Sequence, residues 1–243
     1  MSKLLTVLLT VFLLLESSLA FAQSVRERQQ AVAMERRYGD VNKALDTGLE
    51  LLKHVETFYG SSHHDYYITQ TLLGSIYKKQ KKYDIAEQYY LSALAGREKI
   101  FGTDIYIQSD LINVVNIYIV QEKHDLVIET FSRLIENHLI NSENPSGTFR
   151  RMANYYIKIN DFNAAESYHL KIIEEDIKFE SLRVRQDYID IAKFYETNNK
   201  PEEAIKSLEY AQELAQQCEC ASKQSALNKI TALLAKLKNS ASE

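Results

Sequence analysis

The stretch that decides the fold reads Tyr67-Ile-Thr-Gln-Thr71-Leu72-Leu73-Gly74-Ser75-Ile76-Tyr77, then Lys78-Lys79-Gln80-Lys81-Lys82, then Tyr83-Asp84-Ile85-Ala86-Glu87-Gln88-Tyr89-Tyr90-Leu91-Ser92-Ala93-Leu94. Leu72, Leu73, Ile76 and Tyr77 recur at the three- and four-residue spacing that lines one face of an α-helix, and so do Tyr83, Ala86, Tyr89, Tyr90, Ala93 and Leu94. The lysine-rich segment between the two stripes has no apolar period and reads as a tight turn. Gly74, Ala86 and Ala93 are small residues placed where two antiparallel helices can approach closely, with the larger side chains filling the space around them. The stretch is therefore a helix–turn–helix whose halves pack on each other.

Working outward, the same pattern returns. Ala44 and Ala86 are 42 residues apart, as are Gly60 and Gly102, and each glycine follows an aromatic at the end of a helical stripe. Glycine there suits a left-handed helix cap. A third copy has Leu111, Val114, Val115 and Tyr118 before Val127, Phe131 and Leu134. A fourth has Met152, Ala153 and Tyr156 before Ala164, Ala165, His169 and Ile172. In a fifth, Tyr188, Ile191, Ala192 and Tyr195 precede Pro201, Ala204, Leu208 and Ala211. Pro201 falls at the start of the second helix, where the missing N–H has no helical partner to lose.

Leu73-Gly74-x-x-Tyr77 with Ala86, Tyr90 and Ala93 behind it resembles the tetratricopeptide repeat (TPR), a helix hairpin that stacks into arrays. Spacings near 42 and the phrase Ala95-Gly-Arg-Glu-Lys-Ile-Phe-Gly102 resemble the kinesin-light-chain type of TPR. The resemblance implies an all-α fold, a right-handed superhelical solenoid of about five TPR hairpins near residues 25–58, 67–100, 108–141, 146–179 and 185–218. The first helix has the thinnest pattern, carried by Ala31, Val32 and Met34. Ala226, Leu227, Ile230, Leu233, Leu234 and Leu237 form an amphipathic stripe in residues 222–238 that suits a C-terminal capping helix. Residues 239–243 are expected to be a flexible tail.

Composition agrees with that class. Of 243 residues, 45% are hydrophobic and 26% charged, while two prolines and seven glycines are too few for a turn-rich β-sandwich. The formal net charge of −4 gives no signature of nucleic-acid binding. Lys3, the apolar run Leu4–Leu15 and the ending Ala20-Phe21-Ala22 describe a cleavable secretory signal peptide over residues 1–22. The apolar run is too short to span a bilayer, which takes about 20 residues. The expectation is therefore an exported protein, periplasmic or secreted, with no stable membrane span after cleavage.

Signals for chemistry are weak. The chain holds no Gly-rich phosphate loop, no Gly-x-Ser-x-Gly elbow and no His-Glu-x-x-His, so no catalytic residue and no cofactor is expected. Glu166-Ser-Tyr-His169 has the spacing of a di-iron helix but lacks a second such pair. His63-His64-Asp65 sits in a polar link between repeats and is not expected to hold a metal. Cys218 and Cys220 are the two cysteines, and in an oxidising compartment they could form a strained local bond, pair with another chain or serve redox chemistry.

The interaction surface is more informative. The resemblance implies that the inner faces of the first helices line a concave groove, which family members use to hold peptides, including terminal carboxylates, through asparagines and basic residues. The equivalent positions here include Lys78, Lys79, Asn116, Arg150, Asn154, Lys158 and Lys193. Basic residues outnumber acidic ones among them, and a concave surface of one sign concentrates ligands of the other. The expected function is a non-catalytic scaffold or adaptor that binds a protein or peptide partner, such as an acidic or carboxylate-ended segment. Self-association is the other partner considered. The alternative is an accessory or sensor subunit that responds to redox state or a small ligand through the Cys218/Cys220 pair or the groove.

Overall fold

The computed structural model describes residues 25–102, 107–218, 221 and 223–240. The expected signal peptide, residues 241–243 of the expected tail, and Cys220 lie outside them. Among the described residues there are eleven helices and no strand. In chain order these are α1 (25–38), α2 (Val41–Tyr59), α3 (His64–Lys79), α4 (Tyr83–Phe101), α5 (Gln108–Val120) and α6 (His124–Ile140). There follow α7 (Ser146–Lys158), α8 (Phe162–Lys178), α9 (Val184–Thr197), α10 (Pro201–Gln217) and α11 (Lys223–Ser240). No helix among the described residues is long and apolar enough to cross a membrane.

The chain forms two compact units, residues 1–137 and 138–243. In the first, helices adjacent in sequence pack on one another: α2 on α3, α3 on α4, and α4 on α5. In the second the same order holds from α7 to α11. The small residue early in each second helix is where the hairpins touch. Ala44, Ala86, Val127, Ala165 and Ala204 are all completely buried. Gly74 completes the contact within the α3–α4 hairpin: a Cβ there would lie 3.3 Å from the Ala86 carbonyl and 2.8 Å from the Tyr90 ring. Gly96 is more demanding, since a Cβ would fall 2.0 Å from the Tyr67 ring.

One turn geometry joins the two helices of four successive hairpins. Lys81, Glu122, Asn160 and Asn199 all have φ between 55° and 60°, the left-handed region. The next residue in each case donates its N–H to the carbonyl of a tyrosine five residues back: Lys82 to Tyr77, Lys123 to Tyr118, Asp161 to Tyr156, and Lys200 to Tyr195, at 2.9–3.0 Å. This is the Schellman arrangement, which satisfies carbonyls that the helix end leaves open. In three of the four, the lysine ammonium also lies over the ring of that tyrosine, at 5.6–5.9 Å from its centroid. Side-chain caps then start some of the helices, Asp40 on α2 and Asp161 on α8, while Pro201 occupies the first turn of α10.

Two expectations need correction. Gly60 and Gly102 do have positive φ, but their ψ values of 164° and −128° lie far from the left-handed helix. These are conformations that glycine alone adopts without strain, and they turn the chain sharply out of α2 and α4. In α1 the buried residues are Val25 and Val32, packed with Leu51, Val55, Leu73 and Ile76, whereas Ala31 and Met34 are exposed. In α11, Ile230, Leu234 and Leu237 are buried against α9 and α10, and Lys229, Lys236 and Lys238 face solvent.

Candidate functional site

The first helices of the hairpins carry a polar residue at one repeated register. Thr69, Asp110, Thr148 and Asp187 are each the third residue of their repeat and each at most 3% exposed. Buried polar groups require partners, and these find them on neighbouring helices. Gln29 donates to Thr69 at 3.1 Å, Thr71 donates to Asp110 at 3.2 Å, and the Arg97 guanidinium meets the other Asp110 oxygen at 2.8 Å. Thr148 lies 3.1 Å from His138 Nε2. At the last register Arg150 reaches from α7 to Asp187 on α9 at 2.7 Å and to Asp176 on α8 at 2.5 Å. Gln29, Thr71 and Arg150 occupy one inward position, so the same place in the repeat supplies the donor three times.

In the second unit this contact borders a cleft of about 340 Å³. One wall is the inner face of α7, with Arg150, Asn154 and Ile157, and the other is the inner face of α9, with Asp187, Asp190, Lys193 and Phe194. Ile172 and His169 of α8 form its floor, and Phe162 stands at one end. Asn154 and Lys193 are exposed, whereas Ile172 and Phe194 are buried. The cleft thus offers an apolar base beneath polar rims, the usual form of a site that orients a ligand with few polar groups.

Its charges are of both signs. Arg150 is already held by two carboxylates, and Lys193 lies 3.5 Å from Asp190. Counting inward positions by helical period passes over Asp187 and Asp190, and the one-signed basic groove expected for this part of the chain is therefore not present. Burial pushes the Asp187 carboxyl up to about 7, with the neighbouring Asp176 carboxylate adding to it. Burial would also raise Asp176, but hydrogen bonds from Asp187, Ser146, Asn144 and Arg150 outweigh it and hold that group at about 2. The two titrate as a pair around one guanidinium. Asp187 Oδ2 has no hydrogen-bond partner while ionised, and when protonated it can donate a hydrogen bond to the Asp176 carboxylate. His169 Nε2 is likewise buried without a partner, its ring 5.1 Å from that of Phe194, and burial lowers its proton affinity.

The other residues singled out in the sequence are placed as follows. Lys158 is exposed on α7 and does not line this cleft. Lys78, Lys79 and Asn116 belong to the first unit. There Lys78 is half-buried, which lowers its pKa, and Lys79 donates to the Arg36 carbonyl. Asn116 is partly buried on α5. His63 caps α3 by accepting from the Asp65 N–H and stacks on Tyr59, while His64 packs edge-on against Phe101. Glu166 pairs with Lys200 at 2.6 Å, which accounts for the carboxylate of the Glu-x-x-His. Among the described residues no three His, Cys, Asp or Glu side chains come together as a metal site. Cys218 is disulfide-bonded.

Two tetratricopeptide-repeat family models match the chain, one over residues 69–104 and one over 188–218. The two matched segments are tetratricopeptide (TPR) repeats. The first match takes in most of α3 and all of α4, the second most of α9 and all of α10, so each falls on a hairpin seen in the structure. Solved structures resemble it in fold. Nearly identical TPR-like repeats of a putative kinesin light chain from Podosopora anserina superpose with a TM-score of 0.64 at 13% identity, covering 81% of this chain and 98% of that one. A TPR protein from Parabacteroides merdae gives 0.52 at 19% identity, covering 88% and 75%. In fold, then, the helical array resembles the kinesin-light-chain-like TPR repeats. No curated protein matches the sequence.

Proposed function

We propose that this protein is a non-catalytic interaction scaffold that holds a segment of a partner polypeptide in the cleft between α7 and α9. The single observation that carries this reading is the cleft itself: exposed Asn154 and Lys193 stand above the buried Ile172 and Phe194, on facing inner helices. An asparagine side chain can donate to and accept from an extended backbone at once. The acidic or carboxylate-ended partner suggested by the basic count is disfavoured at this cleft, because both of its cations already face carboxylates. The remaining basic positions of the groove, Lys78 and Lys79, are in the first unit.

The N-terminal pattern supports export, and we place the mature scaffold in the periplasm or outside the cell. Mass spectrometry of the protein from its native host should give a mature N-terminus at Gln23. An intact Met1 would overturn the export reading. For the scaffold reading, a photo-crosslinking residue is put at Asn154 and, as a control, at Ser167, an exposed residue of α8 outside the cleft. In cells, a discrete crosslinked polypeptide is expected from Asn154 and not from Ser167. Equal yields from the two would sink the cleft as the binding site.

A further inference from the structure

Taking the α7–α9 cleft as the place where a partner segment lies, we infer that it receives a basic side chain, lysine or arginine, with the alkyl stem along Ile157 and Phe194 and the cation facing His169, Asp187 and Asp190. The charges at the cleft and directly beneath it do not cancel. Asp176, Asp187 and Asp190 are set against Arg150 and Lys193, and Arg150 divides its one charge between two carboxylates. One negative charge is left unmatched.

The position of that charge matters more than its sum. Asp187 is 3% exposed, lines the cleft, and when ionised has an oxygen without a hydrogen-bond partner. Its neighbour on the floor, His169, has an unpartnered buried Nε2. Burial lowers the pKa of this imidazole, so that it stays neutral and can accept a hydrogen bond. Unsatisfied buried acceptors cost free energy that a donor restores. An ammonium or guanidinium supplies several donors and the missing positive charge together. A carboxylate ligand would bring further acceptors to acceptors and add to the excess. The apolar walls suit the stem of a long basic side chain, which buries its methylenes while its head is paired. A proton on Asp187 can play the same part, in keeping with the raised proton affinity of that group.

The test uses the full mature chain, labelled with ¹⁵N, and three synthetic peptides identical except at the centre: acetyl-Ala-Leu-X-Leu-Ala-amide with X as lysine, norleucine or glutamate. Binding is read from amide shifts of Asn154, Lys193 and Phe194. The lysine peptide is expected to shift these signals with an affinity about tenfold or more above the other two, the scale of a charge-assisted hydrogen bond. Asp187→Asn keeps the shape and the acceptor for Arg150, and Asp190→Asn alters a half-exposed residue. Each should weaken the lysine peptide by about the same factor. If the norleucine or glutamate peptide shifts the same signals as strongly, or if both variants bind the lysine peptide as the parent does, the basic ligand is wrong and the groove reading stands. If none of the three peptides shifts any cleft signal, both readings fall.

Discussion

Arg150 shows how a single side chain can be legible and misleading at once. The helical period places it correctly on the inner face of α7, but not the two carboxylates that meet it from α8 and α9. Those come from Asp176 and from Asp187, the latter at a register where Thr69, Asp110 and Thr148 also stand, and the recurrence of a threonine or aspartate there was a readable signal of a buried polar contact. The pairing has a pH consequence. Asp187 holds its proton more tightly in the folded chain than in the unfolded chain, where a carboxylate titrates near 4. Its contribution to stability is therefore fully present below about pH 4 and is lost as pH rises through about 7. The slope should amount to a few kcal/mol at most, on the order of one such shifted group. Asp176, held low, acts oppositely and only below about pH 4. Denaturant unfolding followed from pH 5 to 8 should show stability falling with pH in the parent and a flatter profile in Asp187→Asn. A parallel slope in the variant would count against this assignment. Close approaches make a second prediction at this scale. Gly96→Ala drives a methyl into the Tyr67 ring, and overpacking of this kind costs about 1–3 kcal/mol. Ala86→Arg, at a fully buried contact, should unfold its hairpin outright. Unchanged thermal midpoints for either variant would contradict the packing.

At the scale of the element, the hairpin turns carry much of the repeat. Their left-handed residues fall at Lys81, Glu122, Asn160 and Asn199, and glycine is at none of them. This is why the turns were legible only as polar gaps between stripes: the marker residue for positive φ is missing, and the geometry is set by the carbonyls of Tyr77, Tyr118, Tyr156 and Tyr195. The small buried residues Ala44, Ala86, Ala165 and Ala204 were legible because a tight helix contact restricts residue type directly. Gly60 and Gly102 were legible as ends but not in their ψ, which depends on where the following link must go. The turns differ in strain. Asparagine tolerates the left-handed region by local hydrogen bonding, whereas glutamate carries a penalty of about 1 kcal/mol there. Glu122→Gly should therefore raise stability to denaturant by up to about 1 kcal/mol, and Asn160→Gly by little, since glycine's extra freedom in the unfolded chain offsets the gain. A larger rise for Asn160→Gly than for Glu122→Gly would show that side-chain contacts, not backbone conformation, govern these turns.

At the scale of the whole molecule, a repeat array is held by nearest-neighbour contacts, and its last hairpin needs something to cover it. Here α11 does so: Ile230, Leu234 and Leu237 lie in one cluster with Ile191, Leu208, Ala211 and Ala215 of the preceding hairpin. Two ion pairs also reach back from α11, Lys236 to Glu196 and Lys238 to Glu209, but their lysines are more than half exposed. Exposed pairs contribute little, between about 0 and 1 kcal/mol each, so the apolar stripe must supply the docking energy. Leu234→Ala should cost about 2–4 kcal/mol, as for other buried leucines, whereas Lys236→Ala should change stability by less than about 1 kcal/mol. Because contacts run only between neighbours, the loss should be local. Hydrogen exchange in Leu234→Ala is expected to quicken in α11 and α10 first, to affect α9 less, and to leave α7 near its parent rates. Uniform quickening across the second unit would mean that this stack unfolds as one block, and that the cleft between α7 and α9 is as exposed to damage at the cap as the cap itself.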